Sequence, residues 1–485
     1  MCGIIGAVGR GSDTLDVLVH GLSKLEYRGY DSAGVALASD SIDVCKKAGE
    51  LDELRGALEG RSVQGSVGIG HTRWSTHGPP TDANAHPHQD CSGDVAVVHN
   101  GIIENYQELR DELASAGHTF RSDTDTEVVP HLVEDELRGG ADPEAAVRAA
   151  LSRLEGSYAV AVVIAGVEQI FAARNDSPLV LGISDDAYYL ASDVPAFRDH
   201  TDRVVYMNDG EFAALDAGGW TVTTLDGEPV EKPVDTVDWD PEETGKSGYD
   251  HYMLKEIHEQ PRSLRQCLSE RVDELAGTVD IDDLADLNPR GVQFVACGTS
   301  YHAALYGAEL FQQAGIPAQA FLASEYASSP PPIGDALVIG VTQSGETADT
   351  LSALREADRR GARTLGVTNV VGSTVARECD HVFYIRAGPE IGVAATKTFA
   401  SQLAALNLLA LGMAGGDDTR ELIGALRDLP GQVQEVLDES GARAVAETYL
   451  ESDAYFFIGR GLNFPVALEG ALKMKEITYK HAEGF

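Results

Sequence analysis

Along the first 230 positions, apolar residues come in short runs bounded by glycine, serine, asparagine or aspartate. The runs MCGIIGAV, SAGVALAS, SVGIGHTR, GDVAVVHNG, SYAVAVVIA, QIFAARN and DDAYYLAS predict strands. Helical periodicity interrupts them in TLDVLVHGLSKLEY and TDTEVVPHLVEDELRG. Many strands with a few long helices predict an α+β layered domain over residues 2–230. Residues 231–248, EKPVDTVDWDPEETGKSG, are rich in proline, glycine and charge and read as a linker. With the helical stretch DHYMLKEIHEQPRSLRQCLSERV they make a connecting segment over 231–285.

From residue 291 the pattern becomes strand, polar loop, helix, repeated. GVQFVACGTS leads into YHAALYGAELFQQAG and DALVIGVTQSGET into ADTLSALREADRRG, while ARTLGVTNV and HVFYIRAG add two apolar strands. This predicts an α/β doubly wound parallel sheet over 286–425. Helical sequence follows between 398 and 450. DAYFFIGRG and the helix NFPVALEGALKMKEITY then restart the pattern, so 448–485 read as the beginning of a second, truncated sheet domain.

Composition narrows the partners. The 485 residues are 43 % hydrophobic, enough for two to four domains. There are 37 basic and 77 acidic residues, a formal net charge of −40, which argues against a nucleic-acid partner, since a phosphate backbone needs a basic patch. The acidic residues are scattered through patterned sequence and do not form a tail or a membrane-binding surface. They read as a solvated coat suited to a salty, halophilic cytoplasm, where screening tolerates the self-repulsion. Six cysteines (Cys2, Cys45, Cys91, Cys267, Cys297, Cys379) without a CxxC indicate a reducing compartment. The start has no signal-peptide pattern and no apolar stretch reaches membrane-spanning length, so a cytoplasmic location is expected.

Two groups of polar residues stand out where strands end. Removal of Met1 would leave Cys2 as the first residue, with thiol and α-amine together; the amine, of reference pKa ~7.7–8.0, can then serve as the base. The alternative is a small apolar residue opening a core strand. In HTRWSTHG (71–78), Arg73 offers a planar fork for a carboxylate. Asn100-Gly101 is either a hairpin turn or a pair of donors for an oxyanion. Asp125 in SDTDTE either belongs to a helix cap or holds a ligand ammonium. His71, His77, His86, His88 and His99 crowd together with Cys91 nearby, but no pair has zinc-module spacing, so no metal is expected.

The stretches CGIIG, LEYRGYDSAG, HTRWSTHG, HNGIIENY and SDTDTEV together resemble the glutaminase domain of the N-terminal-nucleophile (class II) glutamine amidotransferases. The likeness is greatest to the isomerising aminotransferases that make glucosamine 6-phosphate. It implies that Cys2 attacks the amide of L-glutamine, that Asn100 and Gly101 form the oxyanion hole, and that Arg73 and Asp125 hold the α-carboxylate and α-ammonium. It further implies that Thr76 and His77 line the pocket, that Trp74 gates an internal passage for ammonia, and that Arg28 lies in a closing loop.

In the second half, CGTS (297–300) and TQSGET (342–347) lie where apolar strands meet helices. Ser300, Thr342, Gln343, Ser344 and Thr347 there fit a phosphate cradle or, alternatively, helix caps. Neither stretch is a P-loop, which disfavours a nucleoside triphosphate. Glu469, Lys473, Glu476 and Lys480 recur at intervals of four, three and four, as a surface ion-pair ladder or as a catalytic face.

ACGTSYHA, TQSGETADTL, GPEIGVAATK and LEGALKMKEITYKHAE resemble the sugar-isomerase (SIS) domains of the same family. The resemblance implies fructose 6-phosphate as the acceptor, Glu476 as the proton shuttle between sugar C1 and C2, Lys473 beside it, no cofactor, and a homodimer. Thr342 and Ala395 stand where the family usually has serine. The family's ring-opening histidine and Schiff-base lysine are expected in a segment after Phe485, so this chain is expected to hydrolyse glutamine but not to complete synthesis. A non-enzymatic sugar-phosphate sensor or another class II amidotransferase are the alternatives.

Overall fold

The computed structural model describes residues 2–9, 14–26, 29–61, 65–75, 78–237, 246–269, 271–273, 278–281, 284, 287, 289–414 and 419–485. Two compact units divide it, Met1–Pro241 and Glu242–Phe485. Among the described residues, no helix is long and apolar enough to cross a membrane.

The first unit begins with β1 (Gly3–Gly9), α1 (Thr14–Leu25), β2 (Ser32–Ala38), β3 (Ile42–Ala48), α2 (Leu51–Leu58), β4 (Val67–Arg73), β5 (His88–Gln89) and β6 (Val95–Ile103). Next come α3 (Tyr106–Ser115), α4 (Val128–Arg138), α5 (Pro143–Leu151), β7 (Gly156–Ile164), β8 (Gln169–Asn175), β9 (Val180–Ile183) and β10 (Ala187–Ala191). It closes with β11 (Arg203–Tyr206), β12 (Glu211–Asp216), β13 (Gly219–Thr224) and β14 (Asp235–Thr236). An eight-stranded sheet of order β14-β11-β9-β10-β1-β4-β2-β3 stacks on a six-stranded one of order β13-β12-β8-β7-β6-β5.

Between the sheets lie Ile4, Val8 and Ile69 from one and Ala96, Val98, Ala161 and Ala172 from the other. The outer face of the first sheet buries Ile5 and Ala7 against Leu18 and Leu22 of α1 and Leu54 of α2. The outer face of the second buries Val95 and Val97 against Leu109, Leu132 and Val147 of α3, α4 and α5. The result is four layers, αββα. Because β1 and the first part of β6 are covered on both faces, β1 and Val95–Val98 are unbroken apolar runs without polar alternation.

The second unit opens with α6 (Tyr252–Ser269), β15 (Val272–Asp273), β16 (Thr278–Val279), β17 (Gly291–Ala296), α7 (Gly298–Gln313), β18 (Ala318–Leu322) and α8 (Ala323–Ser328). It continues through β19 (Ala336–Val341), α9 (Ala348–Arg359), β20 (Arg363–Thr368), α10 (Thr374–Glu378), β21 (His381–Tyr384) and α11 (Lys397–Ala414). Last are α12 (Thr419–Asp438), α13 (Ala442–Tyr449), β22 (Ala454–Phe457), α14 (Asn463–Thr478) and β23 (His481–Gly484). The main sheet has order β18-β17-β19-β20-β21 with every pairing parallel. Phe294 and Leu337 pack against Leu264, Phe311 and Leu406 on one face, and Val295 and Val338 against Tyr326 and Leu354 on the other. Strand order reverses between β17 and β19, the place where open α/β sheets leave a crevice at their carboxyl ends.

One expectation needs correction here. Lys480 does not continue the helical face of Glu469, Lys473 and Glu476. α14 ends at Thr478, Tyr479 takes a left-handed conformation (φ 55°), and the Lys480 ammonium instead caps the carbonyls of Leu450 and Ser452 at 2.7 and 2.9 Å.

A buried carboxyl in this unit carries a pH signature. Glu256 on α6 accepts the N–H groups of Ile391 (2.5 Å) and Gly392 (2.9 Å). Burial, with the Glu390 charge added, nevertheless pushes its pKa up to about 7. The folded protein therefore holds a proton that the unfolded chain releases, and the associated stability is present below the unfolded carboxyl pKa and lost as pH rises through 7. Comparing wild type with Glu256→Gln in denaturant melts at pH 5 and pH 8 should show a difference in pH dependence of about 2–3 kcal/mol. Parallel curves at the two pH values would contradict the assignment.

Candidate functional site

The first site is set by strand register. Gly3 pairs with Thr72 across β1 and β4, so Cys2 and Trp74 meet just past the ends of these neighbouring strands. The Trp74 N–H donates to Cys2 Sγ at 3.2 Å, and the thiol lies 3.5 Å from the Trp74 carbonyl. Glycine must follow the cysteine, since a Cβ on Gly3 would come within 2.6 Å of Thr72 Oγ1 and 2.7 Å of Leu25 Cβ. Burial pushes the Cys2 thiol up, while the Trp74 hydrogen bond and the Arg73 charge pull it back only in part. The thiol is therefore protonated at neutral pH and needs a base.

Asn100 does not lie in a hairpin turn. β6 runs straight through it, with Asn100 opposite Ala159 and Gly101 opposite Tyr158. Its Nδ2 donates to the Cys2 carbonyl at 2.9 Å, and its Oδ1 lies 3.0 Å from His71 Nε2. That nitrogen also faces the His99 carbonyl at 3.0 Å, so it carries the proton and donates to both oxygens. His71 is fully buried, and burial lowers its pKa to about 3, which keeps it neutral. Asn100 is thereby oriented with its NH2 toward Cys2. Gly101 has φ 128°, and a Cβ there would lie 2.0 Å from the Ser157 carbonyl, so only glycine can leave this backbone open.

Asp125 precedes α4 in a short turn that Glu127 organises. Glu127 accepts the N–H groups of Arg121 and Ser122, each at 2.7 Å, and the Ser122 hydroxyl at 2.7 Å. Asp125 itself makes no cap; one of its oxygens accepts the Ile103 N–H at 2.8 Å, tying it to the end of β6. Arg73, buried at the end of β4, donates to the carbonyls of Gly78 (3.2 Å) and Pro79 (3.5 Å). Burial lowers its pKa, against which Cys2, Asp125 and Asp31 act. The Trp74 ring meets Tyr30 edge to face at 5.2 Å. Arg28, Thr76 and His77 lie outside the described residues.

Sequence reasoning weighed His71 within HTRWSTHG and as one of a crowd of histidines without zinc-module spacing, and it missed the buried chain behind it. His71 stacks on His86 (4.2 Å), His86 and His99 share Thr126, and His88 meets Thr124 at 3.1 Å. Only the density of histidines signalled it. Cys91 stands apart from these rings and instead meets His118, His131 and Glu134.

The second group gathers around the switch point between β17 and β19. Ser300 lies in the first turn of α7, where its hydroxyl accepts from Gln402 Nε2 at 2.9 Å. In the loop after β19, Thr342 Oγ1 accepts the Gly345 N–H (3.2 Å) and lies 3.0 Å from Thr347 Oγ1; Ser344 Oγ accepts the Glu346 N–H at 3.1 Å. Gly345 has φ 69°, and a Cβ there would strike Ser373 Oγ at 2.1 Å. Gln343 continues the same loop, half-buried. The hydroxyls thus shape their own loops at the amino ends of α7 and α9, where helix dipoles favour an anion.

α14 brings the charged face to this place. Lys473 Nζ donates to Thr299 Oγ1 at 3.0 Å and pairs with Glu476 at 2.6 Å and Glu469 at 3.3 Å. Glu469 also accepts from Thr299 (2.8 Å) and meets His302 at 2.7 Å. Burial raises the Glu469 carboxyl, but His302, Lys473 and Thr299 outweigh it and its pKa is lowered. The ladder is therefore anchored on α7 and is not merely a solvated face.

Comparison with known proteins agrees with both halves. The family described as "Glutamine amidotransferase domain" matches residues 71–199, and that described as "SIS domain" matches residues 287–412. A glutamine–fructose-6-phosphate aminotransferase [isomerizing] of Halobacterium salinarum is 53 % identical over all of this chain and 82 % of its own length. The chain belongs to this aminotransferase family. The relative of the same name from Methanothermobacter thermautotrophicus is 49 % identical, again over 100 % of this chain and 81 % of its own. Among solved structures, the C-terminal domain of the Francisella tularensis glucosamine-fructose-6-phosphate aminotransferase is 35 % identical, covering 50 % of this chain and 71 % of its own with a TM-score of 0.48. Membership makes this chain an enzyme with a glutamine amidotransferase domain in its first half and a SIS domain in its second.

Proposed function

We propose that the chain, beyond the glutamine hydrolysis expected from its sequence alone, transfers the amide nitrogen of glutamine to fructose 6-phosphate and isomerises the product to glucosamine 6-phosphate, releasing glutamate; the name shared by relatives that match 100 % of this chain supports the full reaction. The observation that carries this is the thiol of Cys2 held by the Trp74 N–H beside the oriented amide of Asn100. Once Met1 is removed, the α-amine of Cys2 takes the thiol proton, and sulfur attacks the amide carbon. The Asn100 NH2 and Gly101 N–H receive the developing oxyanion. The amine returns its proton to the leaving nitrogen, ammonia departs, and water cleaves the thioester to glutamate. Arg73 and Asp125 hold the α-carboxylate and α-ammonium of the substrate, and Trp74 gates ammonia release.

In the second unit, Ser300, Thr342, Gln343, Ser344 and Thr347 bind the sugar phosphate. Ammonia condenses with the C2 carbonyl, and Glu476 moves a proton from C1 to C2 with Lys473 holding its charge. The test is to supply glutamine labelled with 15N in the amide together with fructose 6-phosphate. Glutamate and 15N-labelled glucosamine 6-phosphate are expected by mass spectrometry. Absence of glutamate would refute the first half, glutamate without any amino sugar would refute the synthesis and leave hydrolysis alone, and glutamate with unlabelled amino sugar would refute the coupling.

A further inference from the structure

Away from the proposed glutamine site, four side chains from three segments point one ligand atom each at a common centre. They are Cys91 in the turn between β5 and β6, His118 in the loop after α3, and His131 and Glu134 on α4, and their ligand atoms all lie within 4.8 Å of one another. Cys91 Sγ is 3.5 Å from His118 Nδ1 and 3.6 Å from His131 Nδ1. Glu134 Oε2 is 3.0 Å from His118 Nδ1 and 3.4 Å from His131 Nδ1. A tetrahedral ion with bonds of about 2.3 Å to sulfur and ~2.0–2.1 Å to nitrogen and oxygen requires S···N edges near ~3.5 Å and N···O edges near ~3.3 Å. The cluster already has these edges.

We propose that Cys91, His118, His131 and Glu134 bind one divalent transition-metal ion of zinc type, in a closed, four-coordinate structural site. Thiolate plus imidazoles suits a borderline-soft cation and disfavours magnesium or calcium, which take oxygen. A thiolate and a carboxylate neutralise a dication, so the filled site buries no net charge.

The surroundings are those of a ligand set. His118 Nε2 lies 2.8 Å from Asp135 Oδ1, a carboxylate that orients the ring and leaves Nδ1 free to bind. Thr119 N–H donates to Cys91 Sγ at 3.5 Å, a partner for thiolate charge. The second oxygen of Glu134 is taken by Arg138. His118, His131 and Glu134 are buried. Without metal, the same contacts form a polar network in which His118 bridges Glu134 and Asp135. The ion would tie the turn after β5 to the segment running from α3 to α4.

The test uses the reduced, chelator-stripped full chain titrated with Co2+. One ion per chain is expected, with a thiolate-to-cobalt charge-transfer absorption and the intense visible bands of four-coordinate Co2+, both displaced by Zn2+. Cys91→Ser should abolish the charge-transfer band, and His131→Ala should weaken Co2+ binding at least ~100-fold. Cys2→Ala should retain the spectrum, which separates this site from the terminal thiol. In the Zn2+-loaded wild type, a chelator should lower the melting temperature by about 5–10 °C. A folded wild type that shows no thiolate–cobalt band, or a band that survives Cys91→Ser, would overturn the proposal and leave the polar network.

Discussion

Cys2→Ala is expected to lose glutamine hydrolysis by roughly four to six orders of magnitude, the scale seen when an enzyme's attacking atom is removed. Glutamine should still bind, because Arg73 and Asp125 are held by contacts independent of the sulfur: Gly78 and Pro79 carbonyls for one, the Ile103 N–H for the other. Stability should barely change, since the side chain is only half-buried and stands before β1, outside its ladder. A chain that keeps Met1 should show the same loss without any mutation. Its thiol, raised by burial, would have no α-amine on the same residue to deprotonate it. Glutamate release measured by coupled assay, with N-terminal mass as the control, decides the matter. Undiminished turnover in Cys2→Ala would place the nucleophile elsewhere.

Much of this architecture could be read from one dimension. β1 and the Val95–Val98 stretch of β6 are buried on both faces, so their unbroken apolar runs announced strands of a layered sheet, and the strand–loop–helix rhythm after residue 291 announced the parallel sheet. What periodicity does not contain is register. That Cys2 meets Trp74 follows from β1 pairing with β4, a partner 72 positions away. Asn100-Gly101 was ambiguous because the dipeptide favours hairpins in isolation; pairing with β7 keeps it extended and turns the amide inward.

Asp125 could not be separated from a cap until Ser122 was seen to bond Glu127, leaving Asp125 for Ile103. Lys480 was placed on the face of α14 because spacing ignores where a helix stops, and Tyr479 stops it. The Cys91 cluster escaped for the opposite reason. His131 and Glu134 are one helical turn apart, a readable pair, but Cys91 joins them across 40 residues and carries no spacing signature.

The oxyanion assignment makes the second large prediction. Asn100→Ala should lower kcat for glutamine hydrolysis about 10²–10³-fold, or roughly 2.7–4 kcal/mol of transition-state stabilisation, with KM changed far less. The split arises because the amide meets negative charge only after sulfur has attacked; in the ground state its Nδ2 rests on the Cys2 carbonyl. Asn100→Asp should be worse than alanine. Its carboxylate would place an acceptor against that carbonyl and a negative charge where another must form, even though His71 could still donate to one of its oxygens. Burial lowers the His71 pKa to about 3, so the ring is neutral at and above pH 6 and supplies no positive charge to the site there. The fold loss in Asn100→Ala should therefore be constant between pH 6 and 9, because neither partner in the pair titrates there. A loss expressed in KM alone would show that Asn100 grips the substrate in its ground state and that the oxyanion is held by other donors.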